Sequence, residues 1–252
     1  MQNRAYLRQV KTLDTTERRM LVVLAHPDDE SFPIGGTLAR YAAEGVHITL
    51  VCATRGQAGI PGLTTAAAAR IRTQELQDAA TILRLAAVQF LDYEDGALAA
   101  VDVQLLSARI RDTLHRVQPQ VVITFGPDGI SGHPDHLAVH RATTAAFDQE
   151  RLPALLYYIA PSEATWQGCG VTPTTLTSGG MVAAIDVEKQ LVAKVRAMQS
   201  HASQKPPFSG PASEEAKQLV CHEYFTMARP NGLAGADLTD LFEPLALTVN
   251  QQ

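Results

Sequence analysis

The chain has 252 residues, of which 46% are hydrophobic and 19% are charged, and its formal net charge is −5. This balance is typical of a soluble globular protein, and the net negative charge predicts no binding to nucleic acid or anionic lipid. No apolar run approaches the roughly 20 residues of a membrane helix, so we expect no membrane span. The polar N-terminal segment does not resemble a signal peptide and the three cysteines form no CxxC pair, which predicts a cytoplasmic location without a disulfide framework.

Short apolar runs alternate with stretches of helical periodicity along the chain. The first run, 20–24, is fully apolar and ends in Ala-His-Pro, which is typical of a buried parallel strand. Further strands are predicted at 46–52, 87–91, 121–125, 154–159 and 182–186. Helices are predicted at 34–42, 64–85, 103–117, 137–147, 187–200 and 213–225. Irregular structure is expected in the Gly- and Thr-rich stretch 168–180 and in the Pro-rich stretch 204–213.

The alternation of strands and helices indicates the fold class. Such a pattern predicts a parallel sheet with helices on both faces. We therefore expect an α/β fold, a Rossmann-like three-layer sandwich with a mainly parallel central sheet. The prediction is one domain over 1–252, with a core at about 20–205 and a C-terminal extension at about 206–252.

Two polar clusters follow predicted strands. The sequence HPDDE at 26–30 comes directly after the first strand, and HPDH at 133–136 follows the fourth. Open α/β sheets bind ligands beyond the carboxyl ends of their strands, near the point where the strand order reverses. In the common doubly wound order the first and fourth strands are neighbours at that point. We therefore expect the two clusters to face each other.

The residue types of the clusters suit a catalytic metal. Zinc binds imidazole nitrogen and carboxylate oxygen, and a catalytic site keeps one position open for water. His26 and Asp29, three residues apart, would supply two ligands, and a histidine of the second cluster would supply the third. Water at such a metal loses its proton near neutral pH, and Asp28 is the candidate general base. The other histidine would stabilise an oxyanion, with Asp135 holding its ring.

The motif AHPDDE at 25–30, together with HPDH at 133–136, resembles the LmbE-like, or PIG-L, family of zinc-dependent de-N-acetylases. The resemblance implies three zinc ligands, which are His26, Asp29 and His136. It also implies Asp28 as the general base. His133 would stabilise the oxyanion or act as the acid, with support from Asp135.

The resemblance continues outside these two motifs. The sequence TRG at 54–56 resembles the family's TRGE segment, which implies Arg55 as a substrate contact, with a structural ion pair as the equal alternative. Gln57 stands where the family usually has Glu. Arg72 and Glu75 resemble an R-x-x-E helix of the family. A K-x-x-A…H-x-S-Q segment, to which no role is assigned, is matched by Lys194, Ala197, His201, Ser203 and Gln204.

Other polar residues stay open between function and packing. Glu30 is expected to support the site from outside the ligand set. Tyr93, Glu94 and Asp95 follow the third strand and one of them could reach the cleft, but the sequence does not fix which. Trp166 could stack on a sugar ring, pack within the protein or form an oligomer contact.

The activity that the resemblance implies is metal-dependent removal of the N-acetyl group from an N-acetylglucosamine-type sugar or conjugate. The cofactor is predicted to be Zn²⁺, although iron or cobalt would fit the same ligand types. The partner is then a small N-acetylated sugar or glycoconjugate, and a homo-oligomer, common in the resembling family, is left open. Three rivals remain: an amidase of a thiol or other amide conjugate, a metal-binding protein without activity, and a non-catalytic nucleotide-binding module. The last is disfavoured because the first strand–helix turn lacks GxGxxG.

Overall fold

A computed structural model describes residues 17–150, 152–160, 182–205, 221–229 and 238–245. The predictions for Trp166, for the 168–180 loop and for most of the C-terminal extension lie outside the described residues. The division of the chain into a core and an extension stays a prediction.

Seven strands and six helices are present in the described ranges. The strands are β1 (Arg19–Leu24), β2 (His47–Thr54), β3 (Ala87–Tyr93), β4 (Val121–Phe125), β5 (Leu155–Ile159), β6 (Val182–Asp186) and β7 (His222–Met227). The helices are α1 (Gly35–Ala43), α2 (Thr65–Leu83), α3 (Val103–Val117), the single turn α4 (Gly129–Gly132), α5 (Pro134–Glu150) and α6 (Leu191–Ser200).

The strands form one sheet in the order β3-β2-β1-β4-β5-β7-β6. Pairing is parallel from β3 through β5, and β7 is antiparallel to both of its neighbours. The succession of strands reverses at β1, so the crevice between β1 and β4 is the switch point. Right-handed crossovers place α1 and α2 on one face, and α3 and α5 on the other. This is the predicted mainly parallel sheet with helices on both sides.

The two central strands are apolar throughout because both of their faces are covered. In β1 the residues Met20 to Leu24 are at most 1% exposed, and all five residues of β4 are buried. Such continuous apolar runs are typical of parallel strands between two helical layers. Two helices have an N-cap side chain that accepts a hydrogen bond from the first turn. The Thr64 hydroxyl accepts the Ala67 N–H at the start of α2, and the Asp102 carboxylate accepts the Gln104 N–H at the start of α3.

The N-terminal cap of helix α1 is a side chain that is distant in sequence. Ile34, at its N-cap, makes no side-chain cap hydrogen bond. Instead, the Glu223 carboxylate of β7 accepts the N–H groups of Gly36 at 2.9 Å and Thr37 at 2.6 Å. Lys194 Nζ of α6 lies 2.6 Å from the same carboxylate, and both charged side chains are 1% exposed. A buried ion pair therefore ties α1, α6 and β7 together.

Three predicted elements are corrected by the structure. The predicted helix 213–225 is wrong over its last residues, because His222–Met227 is a strand whose alternate side chains are buried. The helix expected from 187 begins at Leu191, after a 3₁₀ turn at Glu188–Gln190. Helix α5 begins at Pro134 rather than 137, which is favourable because proline lacks the N–H that a first helical turn leaves unpaired.

Candidate active site

The loop after β1 is folded around the Asp29 carboxylate. Its Oδ2 atom accepts the N–H of His26 at 2.7 Å and that of Ala25 at 3.2 Å. Asp28, which lies between His26 and Asp29, has a φ of 121°, a backbone conformation that residues with a side chain rarely adopt. The Asp29 carboxylate is therefore held in place by the backbone of its own turn.

The predicted metal ligands His26, Asp29 and His136 come together at the switch point. His26 Nδ1 lies 3.2 Å from His136 Nε2 and 3.7 Å from Asp29 Oδ2, and His136 Nε2 lies 3.3 Å from Asp29 Oδ1. Two donors of one tetrahedral zinc, each about 2.0–2.2 Å from the ion, stand about 3.3–3.6 Å apart. The separations observed here thus fit three ligands of a single ion.

Each of the two histidines is held in one orientation by a hydrogen bond of one ring nitrogen. His136 Nδ1 donates to the Gly129 carbonyl at 2.9 Å, so Nε2 is the nitrogen that faces the other predicted ligands. His26 Nε2 lies 3.1 Å from both Asp135 Oδ2 and Asp95 Oδ1. Carboxylates only accept hydrogen bonds, so this nitrogen carries a proton, and Nδ1 is the nitrogen that faces the other predicted ligands.

Asp135 is placed differently from its prediction. Its carboxylate contacts His26, and it also accepts the N–H of Gly96 at 2.8 Å and that of Leu98 at 3.0 Å. His133 is reached only by the backbone of Asp135, whose N–H donates to His133 Nδ1 at 3.2 Å. The expectation that Asp135 holds the His133 ring is therefore corrected: as the second residue of α5, its side chain turns toward β1 and the loop after β3.

Charges in the site shift several pKa values. Burial lowers the pKa of His26, but hydrogen bonds to Asp135 and Asp95 and the charge of Asp29 outweigh it and raise the pKa to about 10. Burial raises the pKa of Asp29, yet the neighbouring His136 and His26 bring it well below its usual value. Burial and the two neighbouring imidazoles lower the pKa of His133. The carboxylates around the triad thus favour a positive charge at its centre.

Asp28 has the properties of a general base. Burial raises its pKa, the charge of Asp29 raises it further and Arg72 opposes both, with a result of about 7. Arg72 Nη2 lies 2.9 Å from Asp28 Oδ2, while the same guanidinium donates to the carbonyls of Pro27 and Gly56. The Arg72 side chain is 5% exposed and that of Asp28 is 23% exposed, so the Asp28 carboxylate remains accessible to solvent.

The loop after β2 is packed around Arg72. A Cβ at Gly56 would stand 2.4 Å from Arg72 Nη1, and one at Gly59 would stand 2.3 Å away. Gly56 also has a φ of 64°, so both space and backbone conformation require glycine there. The predicted substrate residue Arg55 makes an ion pair in the structure: its Nε lies 2.5 Å from Asp92 Oδ1 and its guanidinium covers the Phe90 ring at 4.3 Å. These contacts are those of the ion-pair alternative.

Sequence reasoning did not identify Asp95 or Arg72 as site residues. The sequence leaves Asp95 as one of three candidates after β3, and only the folded chain shows that its side chain reaches His26. The R-x-x-E pattern includes Arg72 but indicates no role for it. The described residues also contain two overlapping sets of potential ligands, His26 with His133 and His136, and His26 with Asp95 and Asp135. The pair of carboxylates fixes the orientation of the His26 ring, which makes it a supporting set.

The sheet order and the two clusters define the class: a Rossmann-like α/β protein with a candidate metal site at its switch point. The model of the PIG-L family, described as GlcNAc-PI de-N-acetylase, matches residues 21–147. The chain therefore belongs to the PIG-L family, and the predicted family and fold class are confirmed. None of the helices in the described ranges has the length and apolar character needed to cross a membrane.

Individual relatives share most of the chain. A 1D-myo-inositol 2-acetamido-2-deoxy-alpha-D-glucopyranoside deacetylase of Saccharomonospora viridis is 32% identical, over 88% of this chain and 99% of its own length. The N,N'-diacetylchitobiose deacetylase of Pyrococcus horikoshii is similar in structure, with a TM-score of 0.60, 22% identity and coverage of 81% of this chain and 78% of that one. A 4-carboxy-2-hydroxymuconate hydratase from Pseudomonas putida has a TM-score of 0.61, 23% identity and coverage of 85% and 97%. Those two structures show the shared fold.

Proposed function

We infer that this chain is a zinc-dependent deacetylase that hydrolyses the N-acetyl group of an N-acetylglucosamine-type sugar conjugate. The observation that carries the inference is the convergence of His26 Nδ1, Asp29 and His136 Nε2 within 3.7 Å, with Asp28 directly beside Asp29. The relative from Saccharomonospora viridis, a deacetylase of an acetamido sugar joined to inositol, supports the substrate class.

The metal would be held by His26, Asp29 and His136. Two imidazoles and a carboxylate suit zinc, and iron or cobalt would accept the same donors. When bound, zinc polarises a carbonyl and lowers the pKa of nearby water to about 7. Asp135 and Asp95 would act on the metal indirectly, since they orient the His26 ring and increase its basicity.

The side chains around the triad supply the proton transfers. Asp28 accepts a proton from the attacking water, and its pKa of about 7 lets the resulting acid return that proton to the departing amine. Arg72 holds the Asp28 carboxylate in place. His133 would donate a hydrogen bond to the oxyanion that forms when the water oxygen adds to the acetyl carbon. The amide C–N bond then breaks and leaves acetate and a free amino sugar.

The first test replaces the base and keeps its shape. In Asp28→Asn we expect one equivalent of zinc to stay bound while kcat for acetate release falls by about 10²–10⁴-fold, the usual contribution of a general base. The substrates are N-acetylglucosamine and 1D-myo-inositol 2-acetamido-2-deoxy-alpha-D-glucopyranoside. Asp112→Asn, on the exposed face of α3, is the matched control. A near-normal rate in Asp28→Asn would remove this residue from the base role.

The same assay separates the remaining rivals. A nucleotide-binding module would bind no stoichiometric zinc, and a metal protein without activity would bind zinc but release no acetate. An amidase of a thiol conjugate would release a carboxylic acid from that conjugate and leave the acetamido sugars intact. One structural neighbour is named as a hydratase rather than a deacetylase. Release of acetate also distinguishes amide hydrolysis from a hydratase reaction.

A further inference from the structure

A buried histidine outside the triad, distant from it in sequence, is connected to the candidate base. The His201 ring, which follows α6, is fully buried, and its Nε2 lies 2.7 Å from Glu30 Oε1. We propose that His201 is a positioning residue that acts through Glu30 on Asp28. The proposal rests on the proposed function, in which Asp28 is the general base.

The two carboxylate oxygens of Glu30 contact different parts of the chain. Oε1 faces His201 and also accepts the hydroxyl hydrogen of Ser31. Oε2 accepts the N–H of Asp28 at 3.0 Å. The Glu30 side chain is buried, so these protein groups take the place of water around its charge. The carboxylate therefore connects the segment after α6 directly to the backbone of the base.

The Asp28 backbone needs such a constraint. With a φ of 121° it occupies a conformation that persists only where the surroundings impose it. Its carbonyl is held by the N–H groups of Ser31 at 2.9 Å and Phe32 at 3.3 Å, and its amide is held by Glu30. Because a side chain leaves the backbone in a direction set by φ and ψ, relaxation of this peptide would move the carboxylate away from the cleft.

Loss of the His201 ring would remove the hydrogen-bond partner that holds the Glu30 carboxylate in place. A buried carboxylate that loses its partner is unfavourable, so the Glu30 side chain would turn toward another donor and release the Asp28 amide. Arg72 would still contact the Asp28 carboxylate. However, it would then hold a base whose backbone is no longer fixed. The metal donors are held by other contacts, since Asp29 accepts two backbone N–H groups of its own turn.

A neighbouring contact of the same segment provides the control. Ser203 donates from its backbone N–H at 2.8 Å and its hydroxyl at 2.7 Å to the two oxygens of Glu75. This contact also fastens the segment after α6 to the body of the protein, but it makes no hydrogen bond to Glu30 or Asp28. Ser203→Ala therefore reports what a purely structural loosening of the segment would do.

The experiment compares His201→Leu, His201→Gln and Ser203→Ala in the full-length, zinc-loaded chain. The Gln amide nitrogen can reach the position of His Nε2 and donate to Glu30, whereas Leu cannot donate. For His201→Leu we expect kcat for acetate release to fall by about tenfold or more, because small misplacement of a catalytic group is costly. KM should stay within about twofold and zinc at one equivalent. His201→Gln should recover most of kcat, and Ser203→Ala should match the wild type.

Two outcomes would overturn the proposal. One is an unchanged kcat per zinc-loaded molecule in His201→Leu, with only the melting temperature lowered. The other is an equal fall in kcat in His201→Leu and Ser203→Ala. If His201→Leu does not fold, His201→Asn replaces it, since its amide is too short to reach Glu30; equal kcat values for Asn and Gln then reject the proposal. A wild type that binds zinc but releases no acetate would instead reject the proposed function.

Discussion

Three loops, those after β1, β4 and β2, lie at the same edge of the sheet. The side chains of the first two meet in the candidate site, whereas the side chain of Arg55 in the third makes an ion pair. The first two bring His26, Asp29 and His136 within 3.7 Å of one another. In the third, the Arg55 side chain turns toward β3, where it contacts Asp92 and Phe90. All three loops carry polar residues next to a strand end, so residue type alone does not explain the difference.

The difference follows from the strand order. The chain leaves β1 on one face and β4 on the other, so a crevice opens between their ends and side chains enter it from both sides. The loop after β2 is separated from this crevice by β1, and it contributes backbone groups rather than side chains. The Gly56 carbonyl accepts a hydrogen bond from Arg72, and the Ala58 N–H donates to Asp95 at 2.9 Å. A polar residue at a strand end is therefore a stronger functional candidate beside the reversal, and Asp95 after β3 reaches the site only through its contact with His26.

Removal of a donor from the crevice should have the largest effect. In Asp29→Ala or His136→Ala we expect zinc content well below one equivalent and no acetate release above background, because two remaining protein ligands hold zinc poorly. Zinc is measured by elemental analysis of the purified protein. His47→Ala, at an exposed position at the start of β2, should keep both metal and rate. Full zinc in Asp29→Ala would show that the ligand set lies elsewhere.

Loss of a supporting charge should have an intermediate effect. Asp135→Asn keeps the shape of the side chain but weakens the acceptor for His26 Nε2. Such outer partners usually contribute about 10–100-fold in metal affinity or activity, and we expect a fall of that size. The measurement is a zinc titration against a competing chelator, together with kcat. An unchanged zinc affinity and rate would mean that Asp135 does not orient the ligand.

Substitution in the loop after β2 should have the smallest effect. The Arg55 and Asp92 side chains are 37% and 61% exposed, and exposed ion pairs contribute about 0–1 kcal/mol. We expect Arg55→Gln to keep kcat/KM within about twofold and to change the free energy of unfolding by no more than about 1 kcal/mol. Asp92→Asn breaks the same pair from the other side and should behave alike. A tenfold fall in kcat/KM in Arg55→Gln alone would return Arg55 to the substrate pocket.

Much of this architecture was predictable from the sequence because its signals are local. The apolar runs of β1 and β4 are continuous, and the polar clusters follow them directly, so the meeting of His26, Asp29 and His136 follows from one assumption about strand order. The predicted helix at 213–225 is wrong over its last residues for a different reason. The residues HEYFTM at 222–227 alternate in burial but not in polarity, because the charged Glu223 takes an inward position, so the sequence does not show the period of a strand.

Other features depend on contacts between distant segments. The Asp135 carboxylate could turn toward either histidine, and only the loop after β3, with its N–H groups at Gly96 and Leu98, decides which. The link from His201 to Glu30 joins residues 171 positions apart. Neither pattern has a periodicity or spacing that a single sequence reveals, so these roles emerge only from the folded chain.

The position of β7 has a consequence for how the chain is completed during synthesis. This strand lies between β5 and β6 in the sheet, although it leaves the ribosome after both. In the described ranges β6 joins the sheet through β7, and the first turn of α1 receives its acceptor from Glu223. A nascent chain that stops short of residue 222 would therefore leave the edge of β5 unpaired and the first N–H groups of α1 without the Glu223 acceptor. The helix that follows the candidate metal-binding loop thus gains its N-terminal cap late in synthesis.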